Sequence, residues 1–162
     1  MQFVQGRMVP AFTEKGFKLI DTPTHIHESL STIVINEIQQ NWNELNIENG
    51  MLGDALYNPI GLEPKFIPHQ ELWDIVHEEM LPLLEEWSNL KLFPTSVYGV
   101  RLYQNQSSLV MHRDKIHSHV ISCIIHIAHE YDNDNEPWPI EIEDHDGGLH
   151  VVSLAPGQVS LC

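Results

Sequence analysis

The stretch Leu109-Val110-Met111-His112-Arg113-Asp114 sets an imidazole and a carboxylate on either side of one arginine. Strand side chains alternate between faces, so Val110, His112 and Asp114 would share one side and Leu109, Met111 and Arg113 the other. An imidazole and a carboxylate on one face are two legs of a two-histidine, one-carboxylate facial triad. That triad leaves open positions on non-haem iron(II) for substrate and dioxygen. The tripeptide alone is common, and a solvated pair at a strand end satisfies it as well. His-Arg-Asp is also the catalytic-loop signature of protein kinases, which needs an Asn five residues after the Asp. His119 stands there instead, no glycine-rich loop precedes and no Asp-Phe-Gly follows, so the kinase reading fails.

The elements that must position this pair can be read from hydrophobic period. From Val97 the period is two, which predicts strands over 97–104, 109–114, 119–128, 138–142, 149–154 and 158–162, with a polar turn at Asn105-Gln106-Ser107-Ser108. Upstream, residues 1–24 read as an opening strand and loop. Leu30, Val34, Ile38, Trp42 and Leu45, widened by Ile33 and Ile35, predict an amphipathic helix from about 28 to 45. A second helix, about 70 to 90, carries Leu72, Ile75, Val76, Met80 and Trp87 on its apolar side. Pro82 is predicted to kink or split it near Leu81. Asn49-Gly50, Gly53, Pro59, Pro64 and Pro68 punctuate the loops between. Helices first and short strands afterwards predict an α+β chain, with residues 1–96 supporting a β-sandwich or barrel formed by 97–162.

Composition narrows the function classes. The chain has 162 residues, is 42% hydrophobic and has four Trp and five Phe, which suits a globular domain and argues against disorder. A formal net charge of −15 argues against nucleic acid or an anionic membrane as partner, since both need a basic footprint. Cys123 and Cys162 do not make a disulfide framework. Gln2, Gln5 and Arg7 interrupt the first ten residues, and no run reaches transmembrane length, so a cytoplasmic location is expected. The acidic run from Glu130 to Asp146 raises calcium, but an EF-hand loop starting at Asp132 would put Pro137 where the sharp turn needs Gly. A solvated acidic loop is the simpler reading. No Lys or Arg follows Lys115, although a dicarboxylate ligand needs a cation near it.

Taken in order, Arg101-Leu102-Tyr103, His112-Arg113-Asp114, the strand from His119 to Ile127, Gly147-Gly148-Leu149-His150-Val151 and Ala155-Pro156-Gly157 resemble the iron(II)- and 2-oxoglutarate-dependent oxygenases, most closely the prolyl 4-hydroxylase-like branch. The resemblance covers roughly Val97 to Cys162, and the ordered set of motifs carries it. It implies a double-stranded β-helix, a jelly-roll or cupin-like barrel. It also implies iron(II) and 2-oxoglutarate as cofactors, ascorbate as accessory reductant, and a dioxygenase that hydroxylates an unactivated C–H. A prolyl or other peptide side chain is the favoured substrate, with a free small molecule as the alternative. His112 and Asp114 match the first two iron ligands. Tyr103 matches a tyrosine lining the cofactor pocket, where a core aromatic is the plain alternative. His126 falls where related hydroxylases carry a Tyr that bonds the distal carboxylate of 2-oxoglutarate; a satisfied histidine fits that position equally.

The family's third ligand is a second His beyond the strand that follows the Pro-Gly turn, with an Arg or Lys after it for the cofactor carboxylate. Neither follows Pro156-Gly157 here. Either the last strands lie outside this sequence, leaving the 162-residue chain itself inactive, or the ligand comes from within, with His150 and His145 as candidates. The first explanation is preferred, because a terminal strand at Gln158 to Cys162 would otherwise lack a pairing partner. Two rivals stand beside the oxygenase. One is a non-catalytic cupin-type metal barrel using His117 and His119, for which residues 120–125 offer no Glu. The other is a catalytically dead interaction module on the same fold.

Overall fold

The computed structural model describes residues 11–47, 62–68, 71–114, 119–131 and 138–162, without the side chains of 71 and 73. Asn49-Gly50, Gly53, Pro59, His117 and the acidic positions 132–137 lie outside the described residues. The elements in chain order are β1 (Lys18–Asp21), α1 (Thr24–Asn41), β2 (Asn46–Ile47), β3 (Lys65–Ile67), α2 (Glu71–Ser88), β4 (Val100–Leu102), β5 (Cys123–Ile125), β6 (Ile140–Glu143), β7 (Leu149–Val152) and β8 (Gln158–Leu161). They fall into two compact units drawn from interleaved segments. One comprises 1–23, 80–95 and 113–162, the other 24–79 and 96–112.

The first unit is built on a three-stranded antiparallel sheet of order β1-β8-β5. Lys18 pairs with Leu161 on one side of β8, and Cys123 pairs with Leu161 on the other. Bonds from Thr22 N to Gly157 O, His126 N to Gln158 O and Gly157 N to His126 O lengthen both ladders. The strand expected to lack a partner is therefore the central one. Val159, Ser160 and Leu161 are buried on both faces, as a central strand covered above and below must be. Strands β6 and β7 form a separate hairpin, Ile140 pairing with Val152 and Glu143 with Leu149. Its alternation is regular: Ile140, Ile142, His150 and Val152 are half-buried, while Glu141, Glu143, Leu149 and Val151 face out.

The second unit pairs β2, β3 and β4 antiparallel. Helix α1 buries Ile26, Leu30 and Val34, one residue per turn along a single stripe. It begins earlier and ends earlier than the periodicity predicts. Ile35 stays exposed, and Trp42 lies past the helix end with its indole 4.6 Å from the Lys65 ammonium. Leu45 joins the core through a turn closed by Glu44 N and Leu45 N on Asn41 O.

Helix α2 runs unbroken through Pro82, so the predicted split at Leu81 does not occur. Burial of Leu72 and Met80 on its inner side offsets the one hydrogen bond the proline removes. Ser88 Oγ donates to Leu84 O, Asn89 takes a left-handed φ of 54°, and the Glu85 carboxylate accepts from Leu92 N and Lys91 Nζ, which ends the helix. Among the described residues no helix is long and apolar enough to cross a membrane.

Candidate functional site

Strand β4 delivers Arg101 and Tyr103 from a tightly fixed loop. Gly99 adopts φ 125°, and a Cβ there would sit 2.7 Å from both Ile67 O and Phe66 Cζ, so only glycine lets the chain pass. Beyond the strand, Ser107 is buried. Its hydroxyl accepts from Gln104 N and donates to Leu62 O, while Gln104 Nε2 donates to Glu63 O. These bonds tie 103–108 to 62–64. On the exposed side Arg101 Nη1 donates to Tyr103 Oη at 3.2 Å, and the guanidinium lies 5.4 Å from the Tyr98 ring and 5.7 Å from the Tyr103 ring. Tyr103 is thus a surface aromatic paired with a cation, not a core one. The sequence motif contains Arg101, but its contact with Tyr103 comes from strand geometry.

The predicted strand over 109–114 is reduced to a single bridge residue, Leu109. Residues 110–114 form no regular strand, and Val110 and Met111 are each 48% exposed. A period of two specifies a strand only where a neighbouring strand supplies the hydrogen bonds. His112, at the end of one unit, is exposed, and its Nδ1 donates to Val110 O at 2.8 Å. That bond selects the tautomer whose lone pair sits on Nε2, the form a metal-binding imidazole needs. Asp114 is exposed and belongs to the other unit, as does Arg113, whose guanidinium stands 3.7 Å from the Glu143 carboxylate.

In the first unit Asp114 acts on Cys162. Burial pushes the Cys162 thiol up, and the Asp114 charge adds to that, against a hydrogen bond from Ser160 that lowers it. Burial also pushes Cys123 up, to about 11, with the Cys162 charge as a smaller cause. Both thiols are free, and Cys123 stays protonated at neutral pH, which suits the small buried hydrophobe its apolar run suggests.

His126 continues the β5–β8 ladder, with its Nε2 2.9 Å from His129 Nδ1. The His129 ring stacks on Tyr131 at 4.2 Å and 10°. His150, the in-chain candidate for a third ligand, is engaged elsewhere. Its Nε2 donates to Asp144 Oδ2 at 2.6 Å, and its ring packs against Phe17. Asp144 also accepts from Gly148 N and Asp146 N across the β6–β7 turn. The bonds from His150, then Gly148 and Asp146, hold its carboxyl below the usual range. Sequence reading missed Asp144 as the organiser of this turn, although an Asp ahead of Gly-Gly between two strands is a turn signal. His145 packs its ring beside Gly16, and its backbone N donates to Lys15 O.

The donor types at His112 and Asp114 fit iron(II), and the His112 tautomer fits it as well. Among the described residues, however, no group of three or more His, Cys, Asp or Glu side chains is arranged to hold a metal ion. Two of the clefts among the described residues can be placed. One, about 370 Å³, is lined by Glu37, Asn41, Glu44, Leu45 and Phe66; the other, about 340 Å³, by Glu14, Lys15, Phe17, Lys18 and Trp87. His112, Tyr103, Asp114 and His126 line neither. Comparison of the chain with protein-family models, with curated proteins and with solved structures finds no match.

Proposed function

We propose that this chain is the catalytic region of an iron(II)- and 2-oxoglutarate-dependent oxygenase that hydroxylates an unactivated C–H, with a prolyl or other peptide side chain as substrate. The observation that carries the reading is His112, two residues from Asp114 in the ordered set of motifs, with Nδ1–H committed to Val110 O. In that tautomer Nε2 supplies the lone pair and the Asp114 carboxylate supplies the charge that iron(II) requires. A bound iron(II)–2-oxoglutarate pair supplies oxidative decarboxylation coupled to hydroxylation, with ascorbate as accessory reductant. The chain's own share is binding and orientation. The Tyr103 hydroxyl and the Arg101 guanidinium that donates to it are suited to a carboxylate, since a guanidinium fork matches carboxylate geometry. His126 offers a second donor. The Asp144 carboxylate takes Nε2 of His150, so any part of His150 in holding the metal falls to its Nδ1.

The test uses the full natural polypeptide that carries this region, mixed without oxygen with iron(II) and 2-oxoglutarate. A weak visible charge-transfer band is expected, and it should be lost in His112→Ala and in Asp114→Ala. No band in the unaltered protein overturns the reading. A second reading, a catalytically dead interaction module, is favoured by the exposure of residues 111–114. It predicts that partner binding survives His112→Ala and that no band forms in any variant.

A further inference from the structure

We propose that His126 and His129 form a chelating site for a borderline divalent transition-metal ion such as Zn²⁺, separate from the pair at 112 and 114. Their facing nitrogens, His126 Nε2 and His129 Nδ1, are 2.9 Å apart. Two imidazole nitrogens bound side by side to one ion at ~2.0–2.1 Å stand roughly 2.9–3.4 Å apart, depending on the angle at the metal. The observed spacing already falls in that range, so chelation needs little main-chain movement.

Both rings are held before any ion arrives. His126 N donates to Gln158 O and its carbonyl accepts from Gly157 N, which fixes its backbone in the β5–β8 ladder. His129 is fixed by its stack on Tyr131, and the two imidazoles meet at 61° with centroids 5.1 Å apart. Ligands immobilised this way lose little entropy on binding. The exchange balances. In the bonded pair one ring donates N–H to the other; on chelation that ring moves its proton to its other nitrogen, and both lone pairs face the ion. No proton is released while both rings are neutral. His129 is exposed, so water can complete a four-coordinate shell, and imidazole ligands suit zinc, copper and nickel better than calcium or magnesium. The net charge of −15 raises the local concentration of any cation. An ion at this site occupies His126 Nε2 and so excludes a carboxylate from the same nitrogen.

The experiment titrates the full chain with Zn²⁺ in a non-chelating buffer by calorimetry, and follows the imidazole nitrogens by long-range ¹H–¹⁵N spectra. Expected are one ion bound at micromolar affinity, with His126 Nε2 and His129 Nδ1 moving to metal-bound shifts. His129→Gln, at an exposed position that leaves the sheet intact, should weaken this event at least tenfold, whereas His112→Ala should leave it unchanged. Unaltered affinity in His129→Gln, or loss of the event in His112→Ala, would show that zinc sits elsewhere among the eleven histidines and overturn the proposal.

Discussion

Replacing Leu161 with alanine tests whether β8 is the middle of its sheet. Leu161 is 1% exposed and pairs with Lys18 on one side and Cys123 on the other. The change removes three carbons, and at roughly 0.8 kcal/mol per buried methylene the lost transfer is about 2.4 kcal/mol. A site closed on both faces relaxes little, so a cavity contribution raises the expected loss to about 3 kcal/mol. Ile124 on the neighbouring β5 is the control, because it is 49% exposed. Ile124→Ala removes as many carbons but only half of their burial, with no enclosed void, and should cost about 1 kcal/mol. Urea denaturation followed by circular dichroism reads both; at a slope of ~2 kcal/mol/M the midpoints should fall by about 1.5 M and 0.5 M. Equal shifts would mean that β8 is no more enclosed than β5 and is not the middle strand of its sheet.

Asp144→Asn should lower stability at neutral pH. The Asp144 carboxyl is held down by His150 and the turn amides, so its contribution is complete above the unfolded carboxylate range and lost as pH falls through the depressed native value. The gap in urea midpoint between the two proteins should therefore close in acid; a gap constant with pH would exclude this origin. Gly99→Ala and Gly147→Ala separate strain from crowding. Both glycines have positive φ, but a Cβ on Gly147 meets nothing within 4 Å, whereas one on Gly99 strikes Ile67 O and Phe66. Losses of about 1 kcal/mol at Gly147 and about 3 kcal/mol at Gly99 are expected from thermal unfolding, and similar values would refute the crowding argument.

The two helices are legible in the sequence because their signal is local. Leu30 and Val34 of the predicted stripe recur at the helical period and are buried, and each is judged by neighbours one turn away. Five of the predicted strands appear at nearly their expected places, each shorter, because alternation marks where a strand can form while hydrogen-bonded partners decide how far it runs. The 109–114 segment shows the limit: a strand is predicted there, yet only Leu109 makes a bridge. No sequence rule assigned β8 to the centre between β1 and β5, since its pairing with β1 joins residues more than a hundred positions apart. The same holds for the side-chain pairings. The residue types of His112, Asp114, His126 and His150 are written in the chain, and so is the chemistry they permit. Whether an imidazole faces a carbonyl, a second imidazole or a carboxylate is fixed only when the chain folds: Val110 O for His112, His129 for His126 and Asp144 for His150. The carbonyl at His112 and the carboxylate at His150 each select which ring nitrogen keeps the lone pair, whereas in the His126–His129 pair either ring can donate.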